Sequence, residues 1–317
     1  MEETCAQAAQ KGDLDELQRL RKNGCPWDER TCTEAASGGH LNVLQWVRAQ
    51  DPPCPWSEQT CAWAARNGHL KILEWLRKNG CPWDELTCTA AALEGQLEVL
   101  QWLRKNGCPW NERTCAWAAG DGHLKILEWA REQDPPCPWD EWTCAWAANF
   151  GHLKVLEWLR KNGCPWDERT CAWAAERGHL KVLEWARAQV RPCPWDTRTC
   201  EYSAQGGHLN VLQWARAQVP PCPWDEYTCI YAAENGHLNI LQWARAQNPP
   251  CPWDACTCEK AAGKGYLDIL KWLRAQVPPC PWNEWTCLEA VRYEHLDVLR
   301  YAIENKCPFY EDYIHYI

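Results

Sequence analysis

Residues Cys164–Trp185 read CPWDERTCAWAAERGHLKVLEW, and a close copy of this string returns along the whole chain. Two cysteines and three tryptophans in one short segment could belong to a metal site, a disulfide framework or a packing module. The spacing of the copies decides among them. Thr-Cys occurs eleven times, from Cys5, Cys32 and Cys61 to Cys258 and Cys287, always 27 or 29 residues apart. Cys-Pro-Trp begins at Cys25, Cys54, Cys81 and seven further positions ending at Cys280, and Cys-Pro-Phe begins at Cys307. These landmarks account for 22 of the 23 cysteines, leaving Cys256 outside the pattern. A fixed period of this kind is the signature of a repeat architecture and outranks any local motif.

Each period reads as two helices. The first begins at Trp-Asp, where Asp28, Asp84 and Asp167 are good N-caps, usually followed by a glutamate that suits the helix dipole. It carries Thr-Cys-x-x-Ala-Ala and ends at Asn-Gly or Arg-Gly, where glycine can take the left-handed conformation. The second helix is His-Leu-x-x-Leu-x-Trp-x-Arg. In HLKVLEWAR its apolar positions are Leu180, Val182, Leu183, Trp185 and Ala186, a wide stripe closed by a basic residue, Arg187, which suits the C-terminal end of the dipole. The two period lengths differ in one linker. Short units turn through RKNGC, with Gly24, Gly80, Gly107 and Gly163. Long units run two residues further, usually ending Pro-Pro-Cys as at Pro52-Pro53 and Pro135-Pro136, which reads as a stiff, extended exit.

Composition agrees with a folded array. Hydrophobic residues make up 46% and charged residues 24%, outside the disordered and collagen-like classes. A net charge of -9 argues against a nucleic-acid binder, which needs a basic footprint. No apolar run approaches the roughly 20 residues of a membrane span, so no membrane partner is expected. The polar start MEETCAQAAQKGDLDEL has no apolar core of a signal peptide, which places the expected cysteines in a reducing, cytoplasmic compartment. With 25 Trp against 2 Phe, the tryptophans belong to one repeated unit.

ERTCAWAAERGHLKVLEWAR resembles an ankyrin repeat, through Ala174-Ala175, Gly178-His179-Leu180 and the Val182-Leu183-x-Trp185 core of the second helix. The resemblance covers essentially the whole chain, and the Cys-Pro-Trp-Asp variant is most similar to ankyrin arrays of giant viruses and some protists. Two features depart from the family. Thr-Cys replaces Pro-Leu of its Thr-Pro-Leu-His, which puts Cys171 at the buried leucine position. The period also falls short of the family's roughly 33 residues. The shortening lies between one second helix and the next first helix, so the family's β-hairpin is expected to shrink to a tight loop. The resemblance implies partner recognition in the cytoplasm, the host cytoplasm or the virion if the source is viral.

The conspicuous residues have structural readings as well as functional ones. Cys-Pro-Trp to Thr-Cys gives Cys-x6-Cys, as in Cys164 and Cys171, which is not the Cys-x2-Cys of zinc ribbons. With Asp167 as N-cap, Trp166 and Cys171 hold the two positions of a hydrophobic staple, and cysteine is a small residue that is often buried. Ile314 stands at the corresponding position of the last stretch, CPFYEDYIHYI, which fits packing. Eight histidines, including His40, His69, His123 and His179, recur at one position, where they suit hydrogen bonds between neighbouring turns. Tryptophans of the second helices (Trp46, Trp75, Trp185) and of Cys-Pro-Trp follow the apolar pattern and read as core.

What varies is informative. The residue before Thr-Cys includes Arg113, Trp142, Arg169, Arg198 and Tyr227. One turn later come Trp63, Trp117, Trp146, Trp173, Tyr202 and Tyr231, on the same helical face, with Phe150 extending it. A varied Trp, Tyr and Arg surface has the composition of binding hot spots. The plain alternative is that these indoles pack between neighbouring first helices.

The expectation is an all-α solenoid of about eleven ankyrin-like helix-turn-helix repeats over residues 1–317: a cap repeat at 1–24, central repeats at 25–306 and a capping helix at 307–317. Its expected function is a non-enzymatic protein-interaction scaffold with no cofactor and no metal, binding a protein partner through the varied first-helix face. Self-association stays open. The alternatives are a structural virion or filament component and a cysteine-rich metal-binding array.

Overall fold

The computed structural model describes residues 4–308 together with Glu311 and Tyr316. The described residues form 22 helices, all of seven to nine residues, alternating as first and second helix of eleven pairs, with no strand among them. Short helices of this kind are marginal alone, and stacking supplies what they lack. The chain is an α-solenoid by class, divided into two compact units. One unit comprises Met1–Ala147 and His152–Pro165, the other Ala148–Gly151 and Trp166–Ile317. The expected capping helix, with Ile314, lies largely outside the described residues.

In the first unit the first helices Cys5–Lys11, Glu29–Ser37, Glu58–Arg66, Glu85–Leu93 and Glu112–Gly120 pack each on the next, and each also packs on its own second helix. In the second unit the same holds from Glu168–Glu176 through Thr197–Gln205, Glu226–Glu234 and Ala255–Gly263 to Glu284–Arg292. The repeated Ala-Ala makes this stacking close: Ala35, Ala36, Ala64, Ala65, Ala174 and Ala175 have no exposed surface. From the second helix come Ile72, Leu73 and Leu76 and their equivalents, each buried leucine contributing about 1.5–3 kcal/mol.

The helix ends form as their residues dictate. Asp28, Asp84 and Asp167 each accept a hydrogen bond from the backbone N–H two residues on, at about 3.0 Å. First helices close in a Schellman turn: His69 N–H donates to Ala64 at 2.9 Å and Gly68 N–H to Ala65 at 3.2 Å, with Gly68 at φ +76°. The histidine that follows is the N-cap of the second helix and also ties repeats together. His40, His69, His123, His179, His237 and His295 donate from Nε2 to a carbonyl of the preceding repeat at 2.9–3.2 Å. A carbonyl can only accept, so Nε2 carries the proton in each case.

Both linkers return the chain to one anchor. In a short unit Cys81 N–H donates to Leu76, and in a long unit Cys54 N–H donates to Val47, the same position of the second helix, both at 3.0 Å. The two extra residues must therefore fold back, and the long linkers are bent where extension was expected. Five of them hold a cis peptide before their first proline, as at Asp51-Pro52 and Asp134-Pro135.

The tryptophans correct a second expectation. Those of the second helices and of Cys-Pro-Trp are half-buried, at the rim of a core made of leucine, cysteine and alanine. Each Cys-Pro-Trp indole meets the second-helix aromatic ring of its own repeat edge-on, as Trp166 meets Trp185 with centroids 6.0 Å apart and, in the last repeat, Trp282 meets Tyr301 at 6.5 Å. Its face takes a guanidinium from the preceding second helix: Arg48 lies 3.8 Å over Trp56, Arg77 3.7 Å over Trp83 and Arg187 4.0 Å over Trp195. The same arginine donates to the carbonyl of the intervening cysteine, Arg187 to Cys193 at 2.6 Å. The closing arginine therefore acts across the linker as well as on its own helix end.

Candidate protein-binding face

The cysteines are neighbours in space, but not in the order the sequence spacing offers. Cys32 Sγ points to the carbonyl of Cys54 at 3.8 Å, and Cys54 Sγ points back to that of Asp28 at 3.4 Å. Thiols therefore pair between successive repeats, 20 or 22 residues apart, and not across Cys-x6-Cys. All but Cys25 and Cys256 are buried, and all 23 are free thiols. Burial pushes the Cys5 thiol up to about 12, and the neighbouring thiol together with burial raises Cys32, Cys81, Cys108 and Cys137. Thiols held neutral are poor nucleophiles and poor ligands. Among the described residues no group of three or more His, Cys, Asp or Glu is gathered in a metal-holding arrangement, and no helix is long and apolar enough to cross a membrane.

The varied first-helix positions lie at the surface. In the first unit Trp63 and Trp142 are 38% and 42% exposed, and Arg113 is exposed. Arg66 lies 5.0 Å over Trp63 and pairs with Glu94 of the next repeat at 2.7 Å, so this indole already carries a guanidinium from its own chain. Trp117 and Trp146, from successive first helices, are stacked with centroids 5.0 Å apart and planes 26° apart. This is the inter-helix packing that stood as the plain alternative, yet both rings remain half-exposed. Beside them opens a cleft of about 430 Å³ lined by Glu112, Arg113, Ala116, Trp117, Asp140, Trp142 and Trp146. Asp140 caps its helix by accepting from the Trp142 N–H at 3.1 Å. Burial raises its pKa, the Glu112 and Glu141 carboxylates adding to the rise.

In the second unit Phe150 and Tyr227 are 46% and 49% exposed, and Trp173 and Tyr202 are half-buried. Tyr227 and Tyr231, one turn apart, have ring centroids 6.0 Å apart. Burial raises the pKa of Tyr231, with Glu201 adding to it. Arg169 pairs with its N-cap Asp167 at 2.5 Å. Arg198 pairs with its own N-cap Asp196 at 2.7 Å and with Glu168 of the preceding repeat at 3.0 Å. The structure thus groups Arg113, Trp117, Trp142 and Trp146 in one cleft and Tyr227 with Tyr231 in a tyrosine pair, while Trp63 sits under its own arginine.

Reading the sequence for aromatics passed over Glu112 and Asp140, the two carboxylates of the cleft. Their signal was present: they hold the N1 and N-cap positions that Glu168 and Asp196 hold elsewhere, and only the residue between them changes from Arg198 to Trp142.

Together, helix pairs on a period of 27 or 29 residues and a stacked apolar seam define a helical repeat protein. No protein-family model matches the chain, and a search of curated proteins finds no match.

Proposed function

We propose that the chain is a non-enzymatic protein-interaction scaffold built of ankyrin-like repeats, which recognises a protein partner through the varied face of its first helices. One observation carries this reading. The two first-helix positions that flank Thr-Cys, one just before it and one a turn later, vary between repeats and are exposed or half-buried, and there the chain places Trp142, Tyr227 and their neighbours, with Phe150 beside them, on a backbone locked by repeated residues. Rigid aromatic side chains on a preorganised surface lose little entropy on binding and dominate interface energetics. The resemblance to ankyrin arrays supports the same reading, with cytoplasmic recognition as its setting.

The test is affinity capture from the native cell followed by measurement of the captured partner's affinity for Trp146→Ala and Tyr231→Ala proteins. A hot-spot residue should cost about 2 kcal/mol or more on truncation, roughly thirtyfold in affinity. Unchanged affinity for both variants would remove the first-helix face from the reading. End-to-end self-association with no captured partner would favour a structural component.

A further inference from the structure

We propose that the cleft between Glu112 and Asp140 is a seat for a guanidinium group, filled by an arginine side chain of a partner protein; this rests on the scaffold reading above.

The repeat itself supplies the comparison. In the second unit the glutamate opening one first helix, Glu168, and the aspartate capping the next, Asp196, are joined by Arg198, whose guanidinium donates to both at 3.0 and 2.8 Å. Glu112 and Asp140 occupy the same two repeat positions in the first unit. The residue standing where Arg198 stands is Trp142, so the internal cation is replaced by an indole. Among the described residues no ion pair reaches Glu112 or Asp140. The space is open as a cleft of about 430 Å³, walled by Trp142 and by the stacked Trp117 and Trp146. Arg113 also lines it, but its own N-cap is the neutral Asn111, and it pairs with neither carboxylate. Two carboxylates face one guanidinium there, leaving a charge for a visiting cation to meet.

The occupant follows from the walls. A guanidinium is planar, bonds carboxylates through a fork of N–H donors and stacks on indoles, whereas an ammonium is a hydrated point charge. This chain shows the match repeatedly: Arg77, Arg187 and Arg245 lie 3.7–4.0 Å over Trp83, Trp195 and Trp253 while donating to an oxygen. The net charge of -9 favours the approach of a basic segment. Burial together with the neighbouring Glu112 and Glu141 raises Asp140, so an arriving cation relieves repulsion already present.

The experiment uses the full chain and a fluorescein-labelled peptide of repeated Gly-Ser-Arg, read by fluorescence polarisation, with lysine and citrulline versions alongside. Citrulline keeps the arginine shape without the charge. The arginine peptide should bind at least tenfold tighter than either. Glu112→Gln with Asp140→Asn should weaken it tenfold or more; asparagine caps a first helix elsewhere at Asn111, so the fold is kept, as a melting curve will show. Trp142→Arg should weaken it as much by filling the seat from within, as Arg198 does, without lowering the melting temperature. Glu74→Gln with Glu128→Gln makes the same change of charge on exposed second-helix positions and should leave binding unaltered. Equal binding of the lysine or citrulline peptide, or equal loss in the Glu74 and Glu128 control, would overturn the proposal. If a cellular partner still loses affinity to Trp146→Ala while the arginine peptide fails to bind, the seat falls and the scaffold reading stands.

Discussion

Gly95 and Gly107 share a backbone conformation, φ +72° and +80°, for different reasons. Both accept a left-handed turn that costs an L-residue about 1–2 kcal/mol. A Cβ at Gly107 would meet nothing within 4 Å, whereas at Gly95 it would lie 2.7 Å from Cε1 of His123. That ring donates to the Leu93 carbonyl at 3.0 Å, so moving it breaks a contact between repeats. Gly95→Ala should therefore destabilise by about 1 kcal/mol or more beyond Gly107→Ala, seen as a lower urea midpoint. Equal effects would show that glycine is required for the turn alone. The turn was legible in the sequence, because a glycine ends each periodic helix, after Glu94 in one case and after Asn106 in the other. The reason for a glycine under each histidine was not, since it depends on a ring about 28 residues further on. The same distance hid the thiol pairs. Cys164 and Cys171 look like partners because they are close in sequence, yet Cys164 meets Cys144 of the preceding repeat.

At the scale of the helix pair, the Cys-Pro-Trp turn is held from both sides. The indole rests edge-on against the second helix of its own repeat and lies under the arginine of the preceding one. Read as sequence, the indole fits an apolar stripe and the arginine fits a helix dipole; each reading is local, and neither predicts that they stack. Their recurrence at the two ends of every linker leading to Cys-Pro-Trp, six residues apart in short units and eight in long ones, carried the signal. Arg187→Lys keeps the charge and the dipole interaction but loses the planar stack on Trp195 and the directed bond to Cys193. It should cost about 1–2 kcal/mol, measured as a shift in the denaturant midpoint. A silent substitution would return Arg187 to a purely electrostatic role. The long linkers teach a related lesson: Pro-Pro reads as extended in isolation, but the Cys54 N–H must return to Val47, and the anchor overrides the local preference.

Over the whole molecule the frame was legible because every repeat states it again: helix pairs, caps, glycine turns and a seam of alanine, cysteine and leucine. The candidate site was legible only in part. Trp117, Trp142 and Trp146 stand out because they lie at positions that vary between repeats, but Glu112 and Asp140 do not, being ordinary residues at a helix start. They become notable only when stacking sets one helix start beside the next and the arginine that elsewhere joins them is missing. Repetition marks structure here and departure from it marks the candidate surface. If the repeated cysteines are frame and not chemistry, a thiol titration without reductant should find Cys25 and Cys256 reacting quickly in the folded protein. The others should react slowly at neutral pH, and all 23 should react once the chain unfolds. Many fast thiols in the folded protein, fewer than 23 on unfolding, or release of a stoichiometric metal during the reaction would contradict this.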